Sequence, residues 1–177
     1  MNPFDRPALE WLVNSTKSIF QTSGRKSLLL TGYKRCGKTT LCNALVGERL
    51  LPGVRSRVII GLDGQPSHVL LEERLGSCHC IIGRRYGMTM QADTSALNTI
   101  GVKMLDSIFQ LSDEWVVVDE IGFLEQSAHL YQTALLRLFQ TRRVLAVLRK
   151  SDTPFLHALR TRDDCTVLDI DEWRKWI

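Results

Sequence analysis

The sequence lacks an apolar run long enough to cross a bilayer, so it predicts no membrane-spanning helix. Its first residues carry no basic segment followed by an apolar core, and no secretory signal peptide is expected. The five cysteines are odd in number and scattered, which argues against a framework of paired disulfides. These absences favour a protein of the reducing cytoplasm.

Strong charge of one sign is also missing. The net charge is +4 and the isoelectric point is about 8.9, which makes the chain mildly basic. That balance suits an anionic ligand, but the arginines lie in separate small clusters and do not indicate nucleic acid. The 177 residues and a hydrophobic fraction of 44% are sufficient for one globular domain with its own core.

Short apolar runs alternate with segments of helical period along most of the chain. Asp93 or Thr94 can cap one of these helices, and Asp152 is expected to cap another that opens at Pro154. The predicted helices span residues 8–20, 38–46, 95–111 and 127–139, and the predicted buried strands span residues 27–31, 115–120, 144–148 and 165–168.

A different pattern separates the second of these helices from the third. Two β-rich runs flank Asp63-Gly64 and predict an antiparallel hairpin over residues 57–73. Residues 78–83 read as a third strand with Cys78 and Cys80 on one face, in preference to a metal site, and residues 87–93 as a loop.

The expected fold is therefore an α/β three-layer architecture with a mainly parallel central sheet. A small antiparallel hairpin insertion and an extra N-terminal helix complete it. The predicted division places an N-terminal helical extension at residues 1–25 and the main α/β domain at residues 26–177. The N-terminal helix can pack on the domain or dock a protein partner.

A glycine-rich loop between a predicted strand and a predicted helix carries the main functional signal. It fits the phosphate-binding pattern G-x-x-x-x-G-K-[ST] at every fixed position. Its backbone amides and the helix N-terminus can hold an anion, Lys38 can reach the β- and γ-phosphates, and the Thr39 hydroxyl can ligate Mg²⁺. The predicted phosphate-binding residues are Gly32, Tyr33, Lys34, Arg35, Cys36, Gly37, Lys38, Thr39 and Thr40.

Two carboxylates close the apolar run that begins at Trp115. Because ligands of open α/β sheets bind at the carboxyl ends of the strands, Asp119 is predicted to hold Mg²⁺ together with Thr39. Glu120 is the candidate that orients or deprotonates the attacking water. Arg149 follows a later strand at the same edge and is a candidate to neutralise charge at the transferred phosphate, beside Lys38. A solvated loop arginine is the alternative interpretation of Arg149.

The segment Asp-Glu-Ile-Gly-Phe-Leu-Glu at residues 119–125 resembles the D-E-I-G-x-[ML]-E signature of a known family. That family comprises the small nucleoside-triphosphatases first characterised in thermophiles and includes the cancer-related nucleoside-triphosphatase. The resemblance implies a RecA-like P-loop domain that hydrolyses the γ-phosphate of several nucleotides, ATP and GTP among them, with Mg²⁺. It assigns the metal to Asp119, water activation to Glu120 and a supporting role to Glu125.

The sequence departs from the family pattern at three places. A helix precedes the first strand, and the segment around residues 50–54 is shortened. The late Asn-Arg element is replaced by Asp171-Glu172-Trp173-Arg174, where Trp173 can stack on a base or pack on the core.

Three other functions use the same loop. A guanine-nucleotide switch would read its base with N-K-x-D, of which Lys150 and Asp152 supply only the last part. A small-molecule kinase would need an acceptor pocket and an arginine-bearing lid, for which Arg84 and Arg85 are candidates. A module that only binds nucleotide and a partner is the third alternative.

Overall fold

The computed structural model describes residues 4–173 of the chain. Strands and helices alternate along it except for four successive strands between residues 53 and 92, and the helix that starts at Thr94 passes through one π-helical stretch, Leu97–Gly101. The strands are β1 (Ser27–Gly32), β2 (Gly53–Ile60), β3 (Pro66–Glu73), β4 (His79–Tyr86), β5 (Thr89–Ala92), β6 (Trp115–Ile121), β7 (Arg143–Arg149) and β8 (Cys165–Asp169). The helices are α1 (Arg6–Ser23), α2 (Lys38–Val46), α3 (Thr94–Ala96), α4 (Val102–Phe109), α5 (His129–Thr141), α6 (Pro154–Arg160) and α7 (Ile170–Trp173).

Within residues 4–173, the eight strands form one sheet in the order β5-β4-β3-β2-β6-β7-β1-β8. The five strands β2, β6, β7, β1 and β8 pair in parallel. On the other side of β2, the strands β3, β4 and β5 continue the sheet in antiparallel fashion. The predicted α/β fold is confirmed. The hairpin predicted as an insertion extends the central sheet, because β2 pairs with β6 on one side and with β3 on the other.

The central parallel strands β1, β6 and β7 are buried on both faces, which explains their continuous apolar runs. In β1, Leu29 packs in the core on the face covered by α4, α5 and α6, whereas Leu28 and Leu30 pack on the face covered by α1 and α2. The strand β6 alternates in the same way, with Val117 on the side opposite to its neighbours. Two helical layers therefore enclose the sheet, as the sequence predicted.

Helix α1 confirms the predicted N-terminal helix. The Asp5 side chain caps it by accepting the amide hydrogen of Ala8 at 2.8 Å, and Gly24 ends it in the left-handed conformation. Leu12 is fully buried against the domain. No helix among residues 4–173 has both the length and the apolar character needed to span a bilayer.

Three local expectations are wrong. Residues 89–92, predicted as part of a loop, form strand β5, because a tight turn at Gly87 folds the chain back to pair with β4. The residue that caps α6 is Thr153, whose hydroxyl accepts from the Leu156 amide, and not Asp152. Cys78 is exposed and precedes β4, whereas Cys80 is buried, so the two do not share a face.

Gly53 fixes the junction between the parallel and antiparallel parts of the sheet. It lies opposite Val117 with φ of +150°, and a Cβ atom there would stand 1.8 Å from the Val117 carbonyl oxygen. We expect Gly53→Ala to lower the free energy of unfolding by roughly 3 kcal/mol or more, because the main chain of β6 must move. Urea unfolding measures this difference.

Gly64→Ala is the matched control, because Gly64 also has positive φ but open space at its Cβ position. We expect a loss of about 1 kcal/mol there. Equal losses in the two variants would contradict the account of close approach at Gly53.

Candidate functional site

The phosphate-loop sequence forms a tight connection between β1 and α2. Gly32, Arg35 and Gly37 have φ values of +152°, +66° and +104°. A Cβ atom at Gly32 would lie 2.6 Å from the Cys36 sulfur, so the start of the loop admits no side chain there. Successive residues of alternating hand turn their amides towards a common side and create a concavity that suits an anion.

Lys38 begins α2 and folds its side chain back across this loop. Its Nζ donates to the carbonyl oxygens of Gly32 at 2.7 Å and Tyr33 at 2.8 Å, and the residue is 8% exposed. The ammonium group is therefore held at the mouth of the loop by neutral acceptors. A phosphate oxygen is a stronger acceptor for the same group because it is charged.

Asp119 lies next to the loop, as the sequence predicted. The Thr39 hydroxyl donates to Asp119 Oδ1 at 3.0 Å, although the two residues are 80 positions apart. Burial raises the pKa of the Asp119 carboxyl above its ordinary value, and neighbouring Glu120 adds to this, while the Thr39 hydrogen bond opposes it. A divalent cation would relieve this cost by favouring the charged carboxylate.

The donor set of this corner fits Mg²⁺. Mg²⁺ prefers oxygen ligands and is commonly bound by one or two protein groups together with substrate phosphates and water. Thr39 and Asp119 supply one hydroxyl and one carboxylate oxygen on adjacent elements. Among residues 4–173, no group of three or more histidine, cysteine or acidic side chains forms a separate metal cage.

Glu120 and Arg149 lie together at the same sheet edge. The Arg149 Nε atom is 3.3 Å from Glu120 Oε1, and the guanidinium group lies 5.3 Å from the centre of the Phe123 ring. The pairing of β6 with β7 shifts register between Asp119 and Ile121, so Glu120 occupies an irregularity in the strand. Such bulges re-aim side chains. The structure thus brings Glu120 and Arg149 together at the edge from which the loop also leaves, since Gly32 pairs with Arg149.

A cleft of about 590 Å³ opens beside these residues. Its floor includes Lys34, Glu120 and Arg149, and its remaining walls are mainly apolar and come from β2, β3, the β4–β5 turn and the segment after β6. No local sequence pattern predicts this cleft, because its walls meet only through the pairing of distant strands.

Glu125 lies under the cleft floor and is 3% exposed. Its Oε2 atom accepts the amide hydrogen of Gly122 at 2.8 Å. Burial raises the pKa of Glu125 to about 7, although the hydrogen bond from Gly122 acts to lower it. The carboxyl group therefore supports the turn that follows Glu120.

Asp171 is a loop contact that sequence reasoning missed. Its Oδ2 atom accepts the amide hydrogen of Tyr33 at 2.8 Å, and Lys150 Nζ donates to both Asp169 and Asp171 at 2.7 and 3.3 Å. Although burial favours the neutral acid, these hydrogen bonds lower the pKa of Asp171. A sequence signal was present, since acidic residues lie at the end of β8 as they do at the end of β6.

Trp173 packs against Trp11 of α1, with ring centres 5.8 Å apart and planes at 60°. This contact favours the interpretation of Trp173 as a packing residue over that of a base-stacking residue. Asp152 is exposed and faces Arg160 at 3.9 Å, while Lys150 is engaged by the two aspartates. These contacts give no support to guanine reading by Lys150 and Asp152.

A strand, a phosphate loop and a helix, with a carboxylate supplied by a nearby parallel strand, define the class of P-loop nucleotide-binding proteins. The sequence model of a family described as NTPase matches residues 59–175, about two thirds of the chain. The chain belongs to this NTPase family. The matched region contains Asp119 and Glu120 but not the loop, so the loop supports the class separately.

Two curated relatives and one solved structure agree with this family. The nucleoside-triphosphatase THEP1 of Thermotoga maritima is 29% identical over 160 residues, which span 82% of this chain and 86% of the relative. The protein of the same name from Thermotoga petrophila is 27% identical over 158 residues, which span 82% of this chain and 84% of the relative. The predicted family and the predicted enzyme class, a nucleoside-triphosphate phosphohydrolase, are confirmed.

The crystal structure of THEP1 from the hyperthermophile Aquifex aeolicus shares the fold. The TM-score is 0.65 at 14% identity, with 81% of this chain and 89% of that chain covered. At this identity the likeness concerns the fold alone.

The raised pKa of Glu125 predicts a pH-dependent stability. A carboxyl whose pKa rises from 4.5 to about 7 on folding stabilises the native state fully below pH 4.5, and this contribution is lost as the pH rises through 7. We expect Glu125→Gln to gain stability relative to the parent, by on the order of 3 kcal/mol, between pH 5 and pH 8. Urea unfolding at both pH values measures this change.

Glu48→Gln is the control, because Glu48 is exposed. Its free energy of unfolding should equal that of the parent at both pH values. The stability of Glu125→Gln relative to the parent could instead stay constant with pH. That result would show that ionisation of the buried carboxyl does not destabilise the native state.

Proposed function

We propose that the protein hydrolyses the γ-phosphate of nucleoside triphosphates, ATP and GTP among them, with Mg²⁺. The hydrogen bond of 3.0 Å between Thr39 and Asp119 carries the proposal, because it joins the phosphate loop to the acidic end of β6 in one corner. The names of the relatives from Thermotoga support the same activity.

In this proposal the loop binds the triphosphate through its main chain. The backbone amides and the N-terminus of α2 hold the phosphates, and Lys38 exchanges its two carbonyl acceptors for β- and γ-phosphate oxygens. Thr39 and Asp119 would hold Mg²⁺, which would supply charge neutralisation at the bound phosphates. The binding residues are Gly32, Tyr33, Lys34, Arg35, Cys36, Gly37, Lys38, Thr39 and Thr40.

Glu120 and Arg149 are the proposed catalytic pair beyond the phosphates. Glu120 orients a water in the cleft and accepts its proton as the water oxygen bonds to the γ-phosphorus. The bond from that phosphorus to the β–γ bridging oxygen breaks, and the nucleoside diphosphate leaves with the electron pair. Arg149, held by Glu120 and the ring of Phe123, faces the developing negative charge.

We also propose that the protein is located in the cytoplasm. The cysteines of the described chain are all free thiols, which suits a reducing compartment. We also propose that the chain divides between residues 25 and 26 into an N-terminal helical extension and the nucleotide-binding domain. Helix α1 then covers part of that domain. Docking of a protein partner through α1 is not needed, because the helix already packs Leu12 into the domain.

Lys38→Ala should abolish measurable binding of Mg-ATP, because the charge that meets the β- and γ-phosphates is removed. Isothermal titration calorimetry with a non-hydrolysable ATP analogue measures the binding affinity. Lys17→Ala is the control, since Lys17 is an exposed lysine of α1 and does not belong to the loop. Undiminished binding in Lys38→Ala would contradict the assigned phosphate site.

Glu120→Gln should keep the affinity for the analogue and lower the rate of phosphate release by roughly a hundredfold or more, because the amide cannot accept the proton. Phosphate release from ATP, GTP, CTP and UTP, with and without Mg²⁺, measures turnover and substrate range. Glu114→Gln, at the opposite end of β6, is the control and should turn over normally. Parental turnover in Glu120→Gln would remove Glu120 from the mechanism.

A further inference from the structure

The cleft beside Glu120 is far larger than hydrolysis requires. Its volume is about 590 Å³, whereas a water molecule has a share of liquid volume of about 30 Å³. Cavities of several hundred Å³ are typical of sites for organic molecules. The attacking water can use only a small part of this space.

Two hairpin turns build the far wall of the cleft. Strand β2 pairs with β6 only from Gly53 to Arg55, and its remaining five residues run about 16 Å past that point with β3. The β4–β5 turn projects at the same edge. An ion pair between Arg85 of β4 and Asp63 of the β2–β3 turn links the two hairpins, so the wall is formed in advance.

The lining combines an apolar surface with cationic groups. Aliphatic, thioether and aromatic side chains cover one part of it, namely Val58, Val69, Met90, Phe123 and Leu124. The charged groups are Lys34, Arg85 and Arg149 against Glu120, with Glu125 buried in the floor. A ligand with an apolar body and one anionic group matches both parts.

We propose that this cleft binds a second small molecule, an amphipathic organic anion, directly beside the γ-phosphate. The placement beside the phosphate rests on the proposed function. Gly32 at the start of the loop pairs with Arg149, and both Arg149 and Lys34 line the cleft, so a γ-phosphate held by the loop would lie where the cleft begins. A molecule in the cleft displaces the water at Glu120 and leaves the nucleotide in place.

The probe for this site is 8-anilinonaphthalene-1-sulfonate, an aromatic sulfonate whose fluorescence rises in apolar surroundings. We expect saturable binding at one site, both in the free protein and in the presence of saturating Mg-ADP. At saturating Mg-ATP, the probe should lower the rate of phosphate release without raising the concentration of ATP needed for half-maximal rate.

Paired substitutions locate the bound probe. Val58 in the cleft and Ile19 in a groove beside Trp11 and Trp173 are 45% and 42% exposed, so the same change tests both places. Val58→Glu should weaken binding roughly tenfold, because it sets a like charge in the cleft. Val58→Lys should keep parental affinity or exceed it, and Ile19→Glu should leave it unchanged.

Several results would overturn the inference. They are the absence of probe binding, its loss when Mg-ADP binds, a greater effect of Ile19→Glu than of Val58→Glu, and equal losses in Val58→Glu and Val58→Lys. Mg-ADP affinity at the parental value in the Val58 variants shows that they are folded. Failure of the parent to bind Mg-ADP or to release phosphate would contradict the proposed function, while the fluorescence titration would still report on the cleft.

Discussion

Parallel pairing of β1 with β7 and of β7 with β6 is the constraint on which the site depends. It sets the carboxyl ends of three strands at one edge, with Gly32 opposite Arg149 and Asp119 opposite Val147. The phosphate loop, the arginine and the two carboxylates leave the sheet from these ends. Because the three strands are buried on both faces, the edge is held by the whole core and not by the polar contacts themselves.

Regular pairing alone would not aim the side chains as they are found. Consecutive residues of a strand point to opposite faces, so in an ideal β6 Glu120 would lie on the core face that Val116 and Val118 occupy. The register shift after Asp119 places Glu120 beside Arg149, while Asp119 meets Thr39. The Glu125 carboxyl then holds the amide of Gly122 in the turn that follows. The irregular end of β6 thus separates the metal position from the water position.

Much of this arrangement could be predicted from the sequence. The apolar runs fixed the buried strands, and the loop pattern together with the acidic end of β6 identified Thr39, Asp119 and Glu120 as neighbours, which the structure shows. The strand at residues 89–92 could not be predicted, because its pairing depends on β4 and its residues lack a β-branched run. The cleft was missed for a related reason, since it depends on strand order, which local patterns do not encode. The acidic end of β8 did signal Asp171, but its contact with the Tyr33 amide also requires β8 to lie beside β1.

A bound triphosphate would change some contacts of the loop and leave others in place. Asp171 holds the Tyr33 amide from the side of β8, and Lys150 neutralises that carboxylate, so this anchor need not move. Lys38 Nζ is held by the neutral carbonyls of Gly32 and Tyr33 and by the Cys36 sulfur at 3.7 Å, and its charge favours phosphate oxygens as acceptors. The main chain of the loop can therefore stay fixed while one side chain exchanges partners. A site arranged in this way loses little conformational entropy on binding, because most of its order is already present in the folded chain.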